Sequence, residues 1–183
     1  MAGSSTANPP AFFFDLASPA AYVAAERALQ SHPGVEWVPV LARDLPGAES
    51  WEAFRCADER EIALAQIERM AAEQGLQPLR WPDPFPFDSL FAMRVATYAK
   101  EIGRTVAFAL AAYRQAFAGG RSLADPDNVV IAAAACEMHP AAVVKAAELQ
   151  GVGERLQQAT ARAISLGVRD VPAVWDGERV VGA

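Results

Sequence analysis

The pattern of apolar and polar positions opens on a dense apolar run, Phe12 to Leu16, with Asp15 as its one polar position. Such a run predicts a short buried strand. It stops at Ala17-Ser18, and Pro19 begins a stretch with helical character to about His32. Serine is a preferred N-cap and proline is favoured at the first helical position, so Ser18-Pro19 predicts a helix start. Val35 to Leu41 reads as a second strand, in which Pro39 indicates an edge position or a bulge. Residues 42 to 49, with Pro46-Gly47, read as a loop. Strand, helix and strand form a βαβ unit, expected to be right-handed with parallel strands.

From about Glu49 the pattern turns helical. Ile62, Leu64, Ile67, Met70 and Ala71 keep a near-helical period within residues 51 to 74, and Gly75 is a fitting stop. Residues 76 to 88 interleave Pro78, Pro82, Pro84 and Pro86 with Trp81, Phe85 and Phe87. Proline at that density excludes a regular helix or a central strand. The three aromatics either roof a pocket or seal a join between subdomains. Further helices are expected over 89–102, capped by Asp88 or Ser89, and over 105–118, 126–138, 140–150 and 153–166. Strand character returns over 168–175, Asp176-Gly177 signals a hairpin turn, and 178–181 reads as the return strand. The order is βαβ, a helical block, then ββ. It divides the chain into a leader (1–10, expected to be flexible), a sheet domain (11–48 plus 165–183) and an inserted helical domain (49–164).

Composition changes this picture little. With 183 residues, about half of them apolar, the chain has ample material for a core. A net charge of −6 lacks the basic face that nucleic acid or an anionic membrane surface would require. The first ten residues have neither the charge nor the apolar run of a secretory signal, and no apolar run is long enough to span a bilayer. The cysteines, Cys56 and Cys136, stand far apart, which fits a reducing cytoplasm rather than a disulfide framework. Cys136 and His139 lack the further ligands a metal site needs, so no metal is expected.

Ser18 is the leading candidate for chemistry. Its hydroxyl stands beside the unpaired N–H groups and positive dipole end of a helix, where an anion is stabilised. The competing role is that of an ordinary N-cap. Tyr22, one turn further on, reads as core with its hydroxyl at the surface.

Five stretches, taken in order, resemble the 2-hydroxychromene-2-carboxylate isomerases and the kappa-class glutathione transferases of the DsbA-like thioredoxin superfamily. Phe13-Phe14-Asp15-Leu16-Ala17-Ser18-Pro19-Ala20-Ala21-Tyr22 resembles that family's strand–Ser-Pro–helix opening. Glu68-Arg69-Met70-Ala71-Ala72-Glu73-Gln74-Gly75, followed by prolines, resembles its second segment. Met93-Arg94-Val95-Ala96 and Gly120-Arg121-Ser122-Leu123-Ala124-Asp125 resemble its inserted helices, and Gly167-Val168-Arg169-Asp170-Val171-Pro172-Ala173 its turn into the closing hairpin.

The resemblance implies an α/β thioredoxin-like βαβ…ββ core with a large all-helical insertion. It implies glutathione as cofactor, with Ser18 as the catalytic residue that hydrogen-bonds the glutathione sulfur. Pro19, Val171 and a cis Pro172 are the implied cofactor-binding residues, with the Val171 N–H and C=O both paired to glutathione. Trp81, Asp88 and Ser89 are the implied substrate contacts, Asp88 standing where the isomerases tend to carry asparagine. Arg55 is the candidate for the family's polar glutathione contact in the first inserted helix. Redox relatives carry Cys-Pro-x-Cys where this chain has Ser18-Pro19-Ala20-Ala21, and a hydroxyl and a methyl cannot exchange disulfides.

The implied function is a cytoplasmic, glutathione-dependent isomerase acting on a small aromatic substrate. A kappa-like transferase and a non-catalytic binding protein are the alternatives. The family continues past the glycine matching Gly182 with Asp-Arg and a final helix. This sequence reaches Ala183: either it is incomplete or the protein lacks that part of the cofactor site, and only in the second case is one sheet face expected to be exposed, with a homodimer to cover it.

Overall fold

A computed structural model describes residues 8–48 and 57–182. The first apolar run forms β1 (Ala11–Phe14), every residue of it buried. Its alternating side chains supply two cores: Phe12 and Phe14 point to one face of the sheet, Ala11 and Phe13 to the other. Helix α1 (Pro19–Ser31) follows, then β2 (Glu36–Pro39). β2 is parallel to β1, with Phe14 opposite Pro39. The four-stranded sheet has the order β2-β1-β3-β4, so β2 lies at an edge, where the missing N–H of Pro39 is tolerated. The closing strands β3 (Ala173–Trp175) and β4 (Val180–Gly182) are antiparallel to their neighbours.

Between the two halves run α2 (Ala57–Glu73), α3 (Leu90–Glu101), α4 (Thr105–Tyr113), α5 (Pro126–Ala134), α6 (Pro140–Glu148) and α7 (Gln150–Ser165). Arg55, Cys56 and the expected start of the first inserted helix lie outside the described residues. One continuous core joins β1 and α1 to α3, α4, α5 and α6 through Phe14, Tyr22, Met93, Phe108, Tyr113, Val129 and Val143, with Phe117 of the turn that follows α4. The C-terminal half of α7 covers the opposite sheet face, where Ala163 and Val168 join Phe13 and Val38. The central strands are thus covered on both faces, against the expectation of an exposed one. Among the described residues no helix is long and apolar enough to cross a membrane.

Several elements differ from the pattern's expectation for identifiable reasons. The helix expected over 105–118 ends at Tyr113, and residues Arg114–Ala118 form one wider π turn. That turn leaves the Phe117 carbonyl to accept from the Arg80 N–H at 2.7 Å, which docks the proline-rich loop. The strand expected over 168–175 begins only at Ala173, because Gly167 turns the chain at φ +89° and the Val171–Pro172 bond is cis. The return strand begins at Val180 rather than Glu178. Asp176 Oδ1 accepts from the N–H groups of both Glu178 and Arg179, making a four-residue turn. The expected leader is tied down at its end: Pro10 C=O accepts from the Glu36 N–H, and Asn8 C=O from Trp175 Nε1.

Gly47 carries the loop after β2 against the segment before Val171. Its N–H donates to Arg169 C=O at 2.7 Å, and a Cβ there would meet that oxygen at 2.9 Å and Arg169 Cβ at 3.0 Å. Gly47→Ala is therefore expected to cost about 1–2 kcal/mol by overpacking, read as a lower urea midpoint. An unchanged midpoint would mean that the two loops separate freely.

Candidate active site

The loop Asp15–Ser18 joins β1 to α1 and is held from four sides. Asp15 is 3% exposed. One carboxylate oxygen accepts from the Ala17 N–H and the other from the Ala42 N–H, both at 2.9 Å, and the Ser89 hydroxyl also bonds the group. Its backbone carbonyl accepts from the Ser18 N–H at 3.0 Å and from the Tyr113 hydroxyl at 2.9 Å. The Leu16 N–H points to Met93 Sδ at 3.2 Å. Burial raises the Asp15 carboxyl above its ordinary value, and its hydrogen bonds offset this only in part. Burial, followed by the Asp15 charge, pushes the Tyr113 hydroxyl well up. Burial likewise raises Tyr22, with the Glu26 charge second. Asp15 was missed as a site residue, although a lone carboxylate in a buried run signals an internal hydrogen-bonding task.

Ser18 is the N-cap of α1, with extended backbone, and its Oγ accepts from the Ala21 N–H at 3.2 Å. The same hydroxyl faces Val171 C=O at 3.5 Å, a long contact across the mouth of a cleft. The Ala20 N–H has no acceptor among the described residues, as geometry dictates for the first turn of a helix. The cis Val171–Pro172 bond brings the Val171 carbonyl to this helix start. The Val171 N–H is not open: it donates to Asp170 Oδ1 at 2.7 Å.

The cleft encloses about 650 Å³. Ser18, Pro19, Ala20 and Val171 line one side of it, and Pro86, Phe87, Asp88 and Ser89 another. Helix α2 closes it with Ala63, Gln66 and Ile67, spaced to lie on one face. Arg43, from the turn after β2, stands at the rim and pairs with Asp88 at 3.1 Å. Asp88, not Ser89, supplies the side-chain cap of α3, accepting from the Leu90 N–H at 3.0 Å.

The sequence-derived candidates thus divide. Ser18, Pro19, Val171, Asp88 and Ser89 meet at one cleft, while Pro172 stands behind Val171 and outside the lining. Trp81 is also outside the lining. It packs on Phe85 and Phe117 at 5.1 and 6.2 Å and donates its Nε1–H to Glu68 at 2.7 Å. The aromatics of the proline-rich loop divide between the two alternatives: Trp81 and Phe85 pack on Phe117, and Phe87 lines the cleft. Arg43, Gln66, Ile67 and Asp170 were not legible, because their nearness to Ser18 exists only after folding. Among the described residues no group of His, Cys, Asp and Glu has the arrangement of a metal site.

A parallel βα unit with an antiparallel hairpin, a cis-proline turn facing the first helix start and a helical insertion define a thioredoxin-fold protein whose helix start carries a hydroxyl. The chain belongs to the DsbA-like thioredoxin domain family, whose model matches residues 11–183. No curated protein matches the chain. Among solved structures it is similar to a 2-hydroxychromene-2-carboxylate isomerase, with a TM-score of 0.82 and 16% identity over 94% of this chain and 87% of that one. A probable DsbA oxidoreductase from Streptomyces coelicolor aligns with a TM-score of 0.74 and 23% identity, over 94% and 82%. The cytosolic disulfide reductase DsbM from Pseudomonas aeruginosa, in its structure with GSH, aligns with a TM-score of 0.66 and 14% identity, over 94% and 87%. At these identities the likeness is one of fold.

Proposed function

We propose that the protein is a glutathione-dependent isomerase of the 2-hydroxychromene-2-carboxylate type, acting on an intermediate of aromatic degradation. The observation that carries this reading is the Ser18 hydroxyl, set at a helix start, open to a cleft and 3.5 Å from the Val171 carbonyl. The cleft volume suits a tripeptide beside a small aromatic acid. Residues 18 to 21 hold no sulfur, so the disulfide chemistry named for DsbM does not transfer to this position.

Bound glutathione would supply a thiolate that adds to an activated double bond and departs after the bond has turned. The chain's own residues do the rest. Ser18 exchanges its long contact with Val171 for a bond to the sulfur, and the Ala20 N–H adds a second donor, so the anionic form is favoured. The Val171 carbonyl accepts from the ligand backbone as an added strand would. Phe87, Pro86 and Ile67 exclude water from the reacting centre.

The Val171 N–H, already held by Asp170, favours a second reading: a binding protein without catalysis. Glutathione at a hundredfold excess over its dissociation constant is expected to stabilise the native state by about 2.7 kcal/mol. A melting scan with millimolar glutathione reads this as a rise of several degrees; no rise favours the binding protein. Product analysis with hydroxychromene acids then separates isomerisation from glutathione transfer.

A further inference from the structure

Arg43 is the one cationic side chain among the described residues lining the cleft, and its surroundings are those of an anion-recognition group with an internal occupant. Its Nη1 meets Asp88 Oδ1 at 3.1 Å. That is one bond from a fork of five donors, and no other described residue accepts from the rest. The same Asp88 oxygen also accepts from the Leu90 N–H, so Asp88 has a second anchor that does not depend on Arg43. Both partners are more than half exposed, and an exposed single-contact pair is weakly held and readily exchanged.

The guanidinium stands where a ligand would meet it. Its charge is felt by the buried Asp15 carboxyl in the floor of the cleft, and the wall beside Asp88 is the apolar Pro86-Phe87 pair, with Ala63 and Ile67 across from it on α2. The other two carboxylates of the lining are engaged: Asp15 by two backbone N–H groups and Ser89, Asp170 by the Val171 N–H.

We propose that Arg43 is the specificity-determining residue of this cleft. It binds the carboxylate of a flat apolar acid as a two-bond fork, and Asp88 is the placeholder that the incoming carboxylate displaces. A planar fork matches a carboxylate with two parallel bonds, which the present single contact to Asp88 does not use. Asp88 keeps its place at the start of α3 through Leu90 when Arg43 leaves it. As the substrate-recognition half of the proposed isomerase the inference rests on that reading, so its probe contains no thiol and the two can fail separately.

The test compares naphthoate with naphthamide by calorimetry on the full chain, without glutathione. Wild type is expected to bind naphthoate roughly tenfold more tightly than the amide, a preference that Arg43→Gln brings close to one. Arg43→Lys, which keeps the charge without the fork, is expected to fall between them. Asp88→Asn, which keeps an oxygen for the Leu90 N–H, is expected to tighten naphthoate roughly threefold by removing the competitor. An equal preference in wild type and Arg43→Gln, no preference in wild type, no binding of naphthoate, or weaker binding in Asp88→Asn would overturn the proposal. A glutathione-induced melting shift without a naphthoate preference leaves the isomerase and removes the Arg43 assignment. A preference lost in Arg43→Gln without any glutathione shift does the reverse.

Discussion

Asp15→Ala is expected to lower the free energy of unfolding by about 2–4 kcal/mol, the largest loss from any single polar side chain in the sheet half. The carboxylate caps the N–H groups of Ala17 and Ala42, and so ties the β1–α1 loop to the turn after β2. Alanine leaves both donors without a partner in a place water reaches poorly, and an unmade buried bond costs more than a made one contributes. The loop so loosened carries Ser18, so the proposed activity falls with stability. Asp15→Asn, with one acceptor in place of two, is expected to lose about half as much. Denaturant midpoints of the three proteins check the order.

The same group carries a pH signature. Its folded carboxyl is raised by burial, so the native chain holds this proton at pH values where the unfolded chain has released it. The resulting stability is fully present below the unfolded value and is lost as pH rises through the folded value, then levels off. Asp15→Asn is expected to abolish that part of the slope. An identical pH profile in Asp15→Asn would assign the slope to other groups.

For the proposed isomerase, Ser18→Ala is expected to reduce turnover about a hundredfold, the usual effect of removing one preorganised donor from a developing or bound anion. Its structural cost is separable. The Ser18 side chain accepts from the Ala21 N–H, and loss of an N-cap costs about 1 kcal/mol. The diagnostic reading is therefore kinetic: kcat falls more than KM rises, and the pH–rate profile moves upward because the bound thiol ionises less readily. Unchanged turnover in a folded Ser18→Ala protein would leave Ser18 as a cap alone.

Local rules carried much of the architecture. Ser18-Pro19 and Asp125-Pro126 start helices with side-chain caps, because capping acts over two or three residues and is visible in the sequence. Pro39 marked an edge strand for an equally local reason, its missing N–H. The failures share a cause. The π turn at Arg114–Ala118 ends in a Phe117 carbonyl that accepts from the Arg80 N–H, a partner far away in the chain. Trp81 stands outside the cleft lining, hydrogen-bonded to Glu68 and edge-on to Phe117, partners well away from it in the chain.

By itself, then, the sequence determined the order of elements, the two helix starts that combine a cap with proline, and the absence of sulfur at Ser18-Pro19-Ala20-Ala21. These depend on neighbours within a few bonds. The tertiary structure alone decided that Asp15 bridges two loops, that Asp170 occupies the Val171 N–H and that Arg43 faces the cleft with Asp88 as its partner. Those outcomes depend on which unpaired donors and acceptors the fold brings together, and no local pattern encodes that.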